Sequence, residues 1–118
     1  MYGLPAHLDV AVFHGKKLDL ICFSANTVSF SFASNVSITI MGSFIYQKDP
    51  RNVENKQYVP LRTSDVMNLI NKTVVRAVGS SDGTLTLHFD NGHILFVLDD
   101  SEQFESYSLH IGNREIIV

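Results

Sequence analysis

The stretch at 73–98, TVVRAVGSSDGTLTLHFDNGHILFVL, constrains the fold more than any other part of the chain. Asp82-Gly83 and Asn91-Gly92 each interrupt runs of alternating apolar residues. Such dipeptides signal tight hairpins, because a type I′ loop needs positive φ at both central residues. Three antiparallel strands are therefore predicted. With Asn91-Gly92 as a two-residue loop, Phe89 faces Ile94, Leu87 faces Phe96 and Leu85 faces Leu98. All three apolar pairs then share one face, so turn chemistry and alternation select one register.

A similar rhythm runs through the first half. Segments 17–23, 27–32 and 36–46 read as strands, divided by Ser24-Ala25-Asn26 and Ala33-Ser34-Asn35. Val28, Phe30 and Phe32 alternate with serines, and Val36, Ile38 and Ile40 alternate with Ser37 and Thr39. Gly42 is expected to mark a bulge or bend in the long third strand. A gapless shift of 57 residues lays Val28, Phe30 and Phe32 on Leu85, Leu87 and Phe89, and Ser34-Asn35 on Asn91-Gly92. Two such meanders can bury their apolar faces against each other. The predicted core is Phe30, Phe32, Ile38, Ile40, Leu85, Leu87, Phe89, Ile94, Phe96 and Leu98.

The connecting segments carry weaker signals. Alternation of Leu8, Val10 and Val12 with Asp9, Ala11 and Phe13 allows a short leading strand. Residues 47–57 are polar, contain Pro50 and lack apolar periodicity, which predicts an exposed loop. Val66, Leu69 and Ile70 share a helical face, so a short helix is predicted at 64–70, capped by Thr63 or Ser64. Gly112-Asn113 turns the chain into Ile116 to Val118, a closing C-terminal hairpin. The expected architecture is mainly β, an antiparallel sandwich or roll of two three-stranded meanders plus this hairpin and one short helix. It forms a single domain over 1–118.

Composition excludes several functional classes. The chain is 45% hydrophobic and 18% charged, too apolar for disorder. A net charge of −3 argues against nucleic acid as the partner. The start of the chain lacks a basic segment and Asp9 breaks its apolar run, so neither a signal peptide nor a membrane span is read and a cytoplasmic location is expected. Cys22, the sole cysteine, is flanked by Ile21 and Phe23 and is expected to be a buried structural thiol.

Catalytic patterns are missing from the sequence. No serine sits in a nucleophile elbow and no glycine-rich loop precedes a helix. His7, His14, His88, His93 and His110 have no metal-site spacing, so neither metal nor cofactor is expected. Asp90 and His93, opposed across the turn, suggest a turn-stabilising pair. Tyr2, Tyr46 and Tyr58 offer a possible aromatic platform for sugar. The charge distribution is uneven in one place. Asp90, Asp99, Asp100, Glu102 and Glu105 fall in a stretch without Lys or Arg. Asp99, Asp100 and Glu102 are expected to lie exposed between two strands and, with Asp90, to form an acidic patch that steers a basic partner.

The segment at 83–92, GTLTLHFDNG, is followed by Asp99-Asp100-Ser101, Phe104-Glu105-Ser106-Tyr107 and Ile116-Ile117-Val118. Together these resemble an uncharacterised family of small bacterial proteins with the pattern D-G-T-L-x-L-x-F-x-[DN]-G, then D-x-S-x-x-[FY]-E-S-[YW] and an I-I-V end. The resemblance is to proteins found as immunity partners of secreted or contact-delivered toxins. It implies a non-catalytic cytoplasmic antidote, monomeric in a 1:1 complex with a toxin domain that is a basic nuclease. A generic protein-binding or adaptor domain and a small-ligand-binding sandwich remain the alternatives. Glu105, Phe104 and Tyr107 are read as structural.

Overall fold

Two antiparallel five-stranded sheets pack face to face in the computed structural model, which describes residues 4–5, 8–48, 56–59, 64–100 and 105–118. The strands are β1 (Leu18–Phe23), β2 (Val28–Phe32), β3 (Val36–Ile40), β4 (Ser43–Gln47), β5 (Lys56–Tyr58), β6 (Val74–Gly79), β7 (Leu85–Phe89), β8 (Ile94–Val97), β9 (Tyr107–Ile111) and β10 (Arg114–Ile117). The first sheet runs β1-β2-β3-β9-β10 and the second β5-β4-β8-β7-β6. Both predicted meanders are present. Each is extended by a hairpin from the other half of the chain.

The segment at 36–46 is two strands rather than one bent strand. At Met41 and Gly42 the chain leaves the first sheet for the second, and both N–H groups donate to the Ser106 carbonyl at 3.0 Å. The chain makes the reciprocal crossing between β8 in the second sheet and β9 in the first. The halves thus exchange their last two strands. A 3-10 helix precedes each meander, at Val10–Phe13 and Val66–Leu69. Register breaks also recur, between Leu18 and Leu20 in β1 and between Val74 and Arg76 in β6. The strands β1 and β6 begin side by side through a Lys17–Thr73 bridge. The two halves therefore follow one strand order, β1 to β5 corresponding to β6 to β10, and the offset between them is 56 residues at the helices and at β1 and β6, 57 at β2 and β7, and 64 at β4 and β9.

Alternation places the core. In β2, β3 and β7 every second residue is buried, so Phe30, Phe32, Ile38, Ile40, Leu85, Leu87 and Phe89 lie between the sheets as predicted. Phe30 and Phe44 meet edge to face across the sandwich, with centroids 6.1 Å apart, and Phe13 meets Phe32 at 5.7 Å.

The β7–β8 register differs from the prediction by one residue. Leu87 opposes Leu95 and Leu85 opposes Val97. Leu95 and Val97 are consequently fully buried, while Ile94, Phe96 and Leu98 turn outward and are only partly covered. The turn explains the shift. Its loop is Asp90-Asn91-Gly92, with Gly92 N–H donating to the Phe89 carbonyl and Phe89 N–H to the His93 carbonyl. Gly92 alone takes positive φ, at 86°, and Asn91 Oδ1 accepts the His93 N–H at 3.0 Å. A three-residue loop of this kind requires one left-handed residue where type I′ requires two. Asp82-Gly83 repeats the arrangement, with Gly83 at 90° and Asp82 Oδ1 accepting the Thr84 N–H.

Four smaller expectations also change. The leading segment forms a 3-10 helix capped by Asp9, whose Oδ1 accepts the Ala11 N–H, rather than a strand. The predicted helix at 64–70 is a single 3-10 turn, with Ser64 Oγ accepting the Val66 N–H at 3.1 Å. The end of the predicted loop, Lys56 and Gln57, joins Tyr58 in an edge strand on β4. Cys22 is exposed rather than buried, because Ile21, opposite Phe30, faces the core and alternation turns Cys22, opposite Ser29, outward. The closing hairpin is present as β9 and β10, and Val118 after it is buried and exchanges hydrogen bonds with Ser106 and Tyr107.

Candidate functional site

The acidic stretch separates into different environments. Asp99 is only 6% exposed, contrary to expectation; its Oδ1 accepts the Ser106 hydroxyl at 3.0 Å. It also packs against the bare Cα of Gly83, where an added Cβ would stand 2.7 Å from Asp99 Cβ. Asp100 accepts the Ser43 hydroxyl and pairs with Lys56 Nζ, each at 2.9 Å. Partial burial opposes its charge, but the Lys56 and Ser43 hydrogen bonds and the Lys56 charge prevail and hold its carboxyl below the usual range. Asp90 is exposed in the β7–β8 turn. Glu102 lies outside the described residues, as do Phe104 and Tyr2.

The two halves of the sequence signature meet at Asp99. The Tyr107 hydroxyl, wholly buried, donates to the Gly83 carbonyl at 2.7 Å, tying the E-S-Y segment to the D-G-T-L turn. Burial first, and the nearby Asp99 charge second, push the phenol well above its ordinary pKa. Ser106 supplies its hydroxyl to Asp99 and its carbonyl to Met41 and Gly42. These residues clasp the crossings between the sheets. Their geometry is structural, and Glu105 beside them is half-buried.

The remaining candidates are dispersed. His93 Nδ1 sits 2.6 Å from the Tyr46 hydroxyl, so its partner is a buried tyrosine rather than Asp90. Tyr46 is buried and Tyr58 exposed, so they form no common aromatic platform. His14 Nε2 accepts the Ala77 N–H, and His110 Nε2 lies 3.5 Å from Glu115. Burial, then the Arg76 charge, lowers the pKa of His88. Among the described residues no three His, Cys, Asp or Glu side chains are grouped to hold a metal ion. No helix among them is long and apolar enough to cross a membrane.

The outward faces of the two sheets differ in chemistry. In the first sheet Ser29 opposes Thr39 and Ser31 opposes Ser37. The 57-residue shift converts these four to Thr86, Phe96, His88 and Ile94 on the second sheet. Phe96 there lies opposite Ile45, which lies opposite Lys56, and Ile94 lies opposite Gln47. Leu98 and the exposed Tyr58 extend this apolar surface, and a shallow depression of about 410 Å³ opens over Ile45, Phe96 and Leu98. Asp82 is the carboxylate among the described residues that line the depression. Of the predicted acidic residues, Asp100 holds Lys56, which lies opposite Ile45, and Asp90 occupies the turn between β7 and β8. Sequence alternation could not find this face, because 94–98 is apolar at every position.

Searches of curated proteins and of solved structures each return no match. A protein-family comparison matches residues 10–118, nearly the whole described fold. The chain belongs to DUF6188, a family of unknown function.

Proposed function

We propose that the protein is a non-catalytic binder of another protein, acting as a cytoplasmic immunity protein that occludes a cognate bacterial toxin. The observation that carries this reading is the outward apolar surface of β4, β5 and β8. Ile45, Ile94, Phe96 and Leu98 are partly exposed there, next to a Tyr58 that is 64% exposed. The fold does not demand apolar residues at these positions, since its other half carries Ser37 and Thr39 where this one carries Ile94 and Phe96. Exposed apolar surface with polar margins is characteristic of a docking site, and tyrosine is enriched among anchoring residues.

Asp82 in the depression and Asp100 beside Lys56, with Asp90 in the β7–β8 turn, suit a partner with Lys or Arg around an apolar centre, as a nuclease that grips phosphates presents. The buried Asp99 contributes to the fold and not to this contact. The antidote role itself, and the 1:1 complex, rest on the sequence resemblance.

The test pairs the chain with the toxic domain encoded beside its gene, measuring growth rescue and affinity by calorimetry. Phe96→Ser and Ile45→Ser should keep the fold and weaken binding by about 2 kcal/mol or more each, as central anchors do. Wild-type affinity in both folded variants would remove this face from the interface. Failure of the wild type to rescue or bind would reject the antidote role.

A further inference from the structure

We infer that the outward face of the first sheet is a second, separate binding site, which takes a neutral saccharide. Small side chains on adjacent central strands hollow this face. Ser29 and Ser31 on β2 and Ser37 and Thr39 on β3 form the floor of an open trough of about 750 Å³. That volume lies within the range of small-ligand clefts. The corresponding positions of the second sheet carry Thr86, His88, Ile94 and Phe96, so the hollow results from residue choice and not from the backbone.

The lining selects the ligand by its chemistry. Among the described lining residues there is no Lys or Arg, which disfavours phosphate and carboxylate ligands, and Asp19 is the one carboxylate. The floor hydroxyls each donate and accept hydrogen bonds, matching a ligand that does the same. Ser29 and Thr39 already interact at 3.2 Å, leaving Ser31 and Ser37 beside them, with His110 opposite Ser37 on β9. Directional groups stand at the rim. Asn35 and Asn113 belong to two turns joined by the Gly112 N–H, which donates to the Asn35 carbonyl at 3.0 Å. Carboxamides, a carboxylate and an imidazole around a hydroxylated floor can bond vicinal hydroxyls in several directions. An apolar ligand would strand these groups without partners.

The test is an amide-resolved NMR titration of the whole chain with glucose, maltotriose, triacetylchitotriose and glucose 6-phosphate, each to about 20 mM, where a millimolar site saturates. Saturable shifts confined to β2, β3, β9 and their turns are expected with a neutral sugar. Ser37→Ile and Thr39→Phe, which copy the other half of the fold, should weaken that binding at least tenfold. Should either fail to fold, Asn113→Ala on the exposed turn reads the same loss. A trisaccharide that binds about tenfold tighter than glucose supports a glycan chain as the source, and equal affinities support a free sugar. Absence of saturable shifts with every neutral sugar, shifts on the second sheet, or tighter binding of glucose 6-phosphate than glucose would each overturn the inference. Toxin affinity is read separately, so failure here leaves the proposed antidote role standing.

Discussion

Gly83 and Gly92 occupy equivalent turns with nearly equal φ, at 90° and 86°, yet their replacement by alanine should cost very different amounts. At Gly92 an added Cβ meets nothing within 4 Å. Its cost is the left-handed strain alone, about 1–2 kcal/mol. At Gly83 the same Cβ collides with the Asp99 carboxylate, standing 2.8 Å from Cγ and closer still to Oδ2. Asp99 is buried and held by Ser106, so it has no free path away. Displacing it strands a buried charge and a hydroxyl, adding roughly 1–3 kcal/mol to the same strain. Gly83→Ala is therefore expected to cost about 2–5 kcal/mol in total. Urea unfolding of the two variants measures the difference directly, with unchanged m-values confirming a common unfolded state. Adding Asp99→Ala to Gly83→Ala should then cost less than the sum of the single losses, since the collision disappears. Equal losses for Gly83→Ala and Gly92→Ala, within about 0.5 kcal/mol, would refute the clasp.

Tyr107→Phe removes only the hydroxyl that donates to the Gly83 carbonyl, and should cost about 1–2 kcal/mol in the same assay while leaving partner affinity unchanged. Leu95→Ala should cost roughly 2–5 kcal/mol and Ile94→Ala clearly less, because the observed register buries the first and turns the second outward; the reverse order would restore the two-residue turn. The lowered pKa of His88 means that the unfolded chain takes up its proton first as pH falls. Stability from this group is thus complete above the unfolded value near 6.5 and declines as pH falls through the lower folded value, and His88→Gln should flatten that limb. Asp100 behaves likewise at more acid pH: its stabilising contribution is present above the unfolded value near 3.9 and lost as pH falls through the folded value. Asp100→Asn should shallow the acid limb in pH-resolved melting curves.

Much of the fold was legible along the chain because strand periodicity is local. Serine alternation in β2 and β3 and threonine–histidine alternation in β7 each declare a buried face, and seven core residues follow from that rule. The internal repeat could be read for the same reason. The register of β8 could not, because Ile94 to Leu98 are apolar on both faces, and only the Gly92 turn and the packing of Leu95 and Val97 select one. The exchange of strands at Met41 and Gly42 was equally hidden, since alternation continues through β3 and β4 while their hydrogen-bonding partners lie far along the chain. Charge was the least legible property. Asp99 and Asp100 are neighbours in sequence, but Gly83, lacking a Cβ, leaves room to bury one, and Lys56 holds the other at the surface. Local pattern determined which residues form strands; tertiary packing decided which face each presents and which carboxylates remain available to a partner. Burial and pairing depend on residues brought together across the sandwich, and no local periodicity records them.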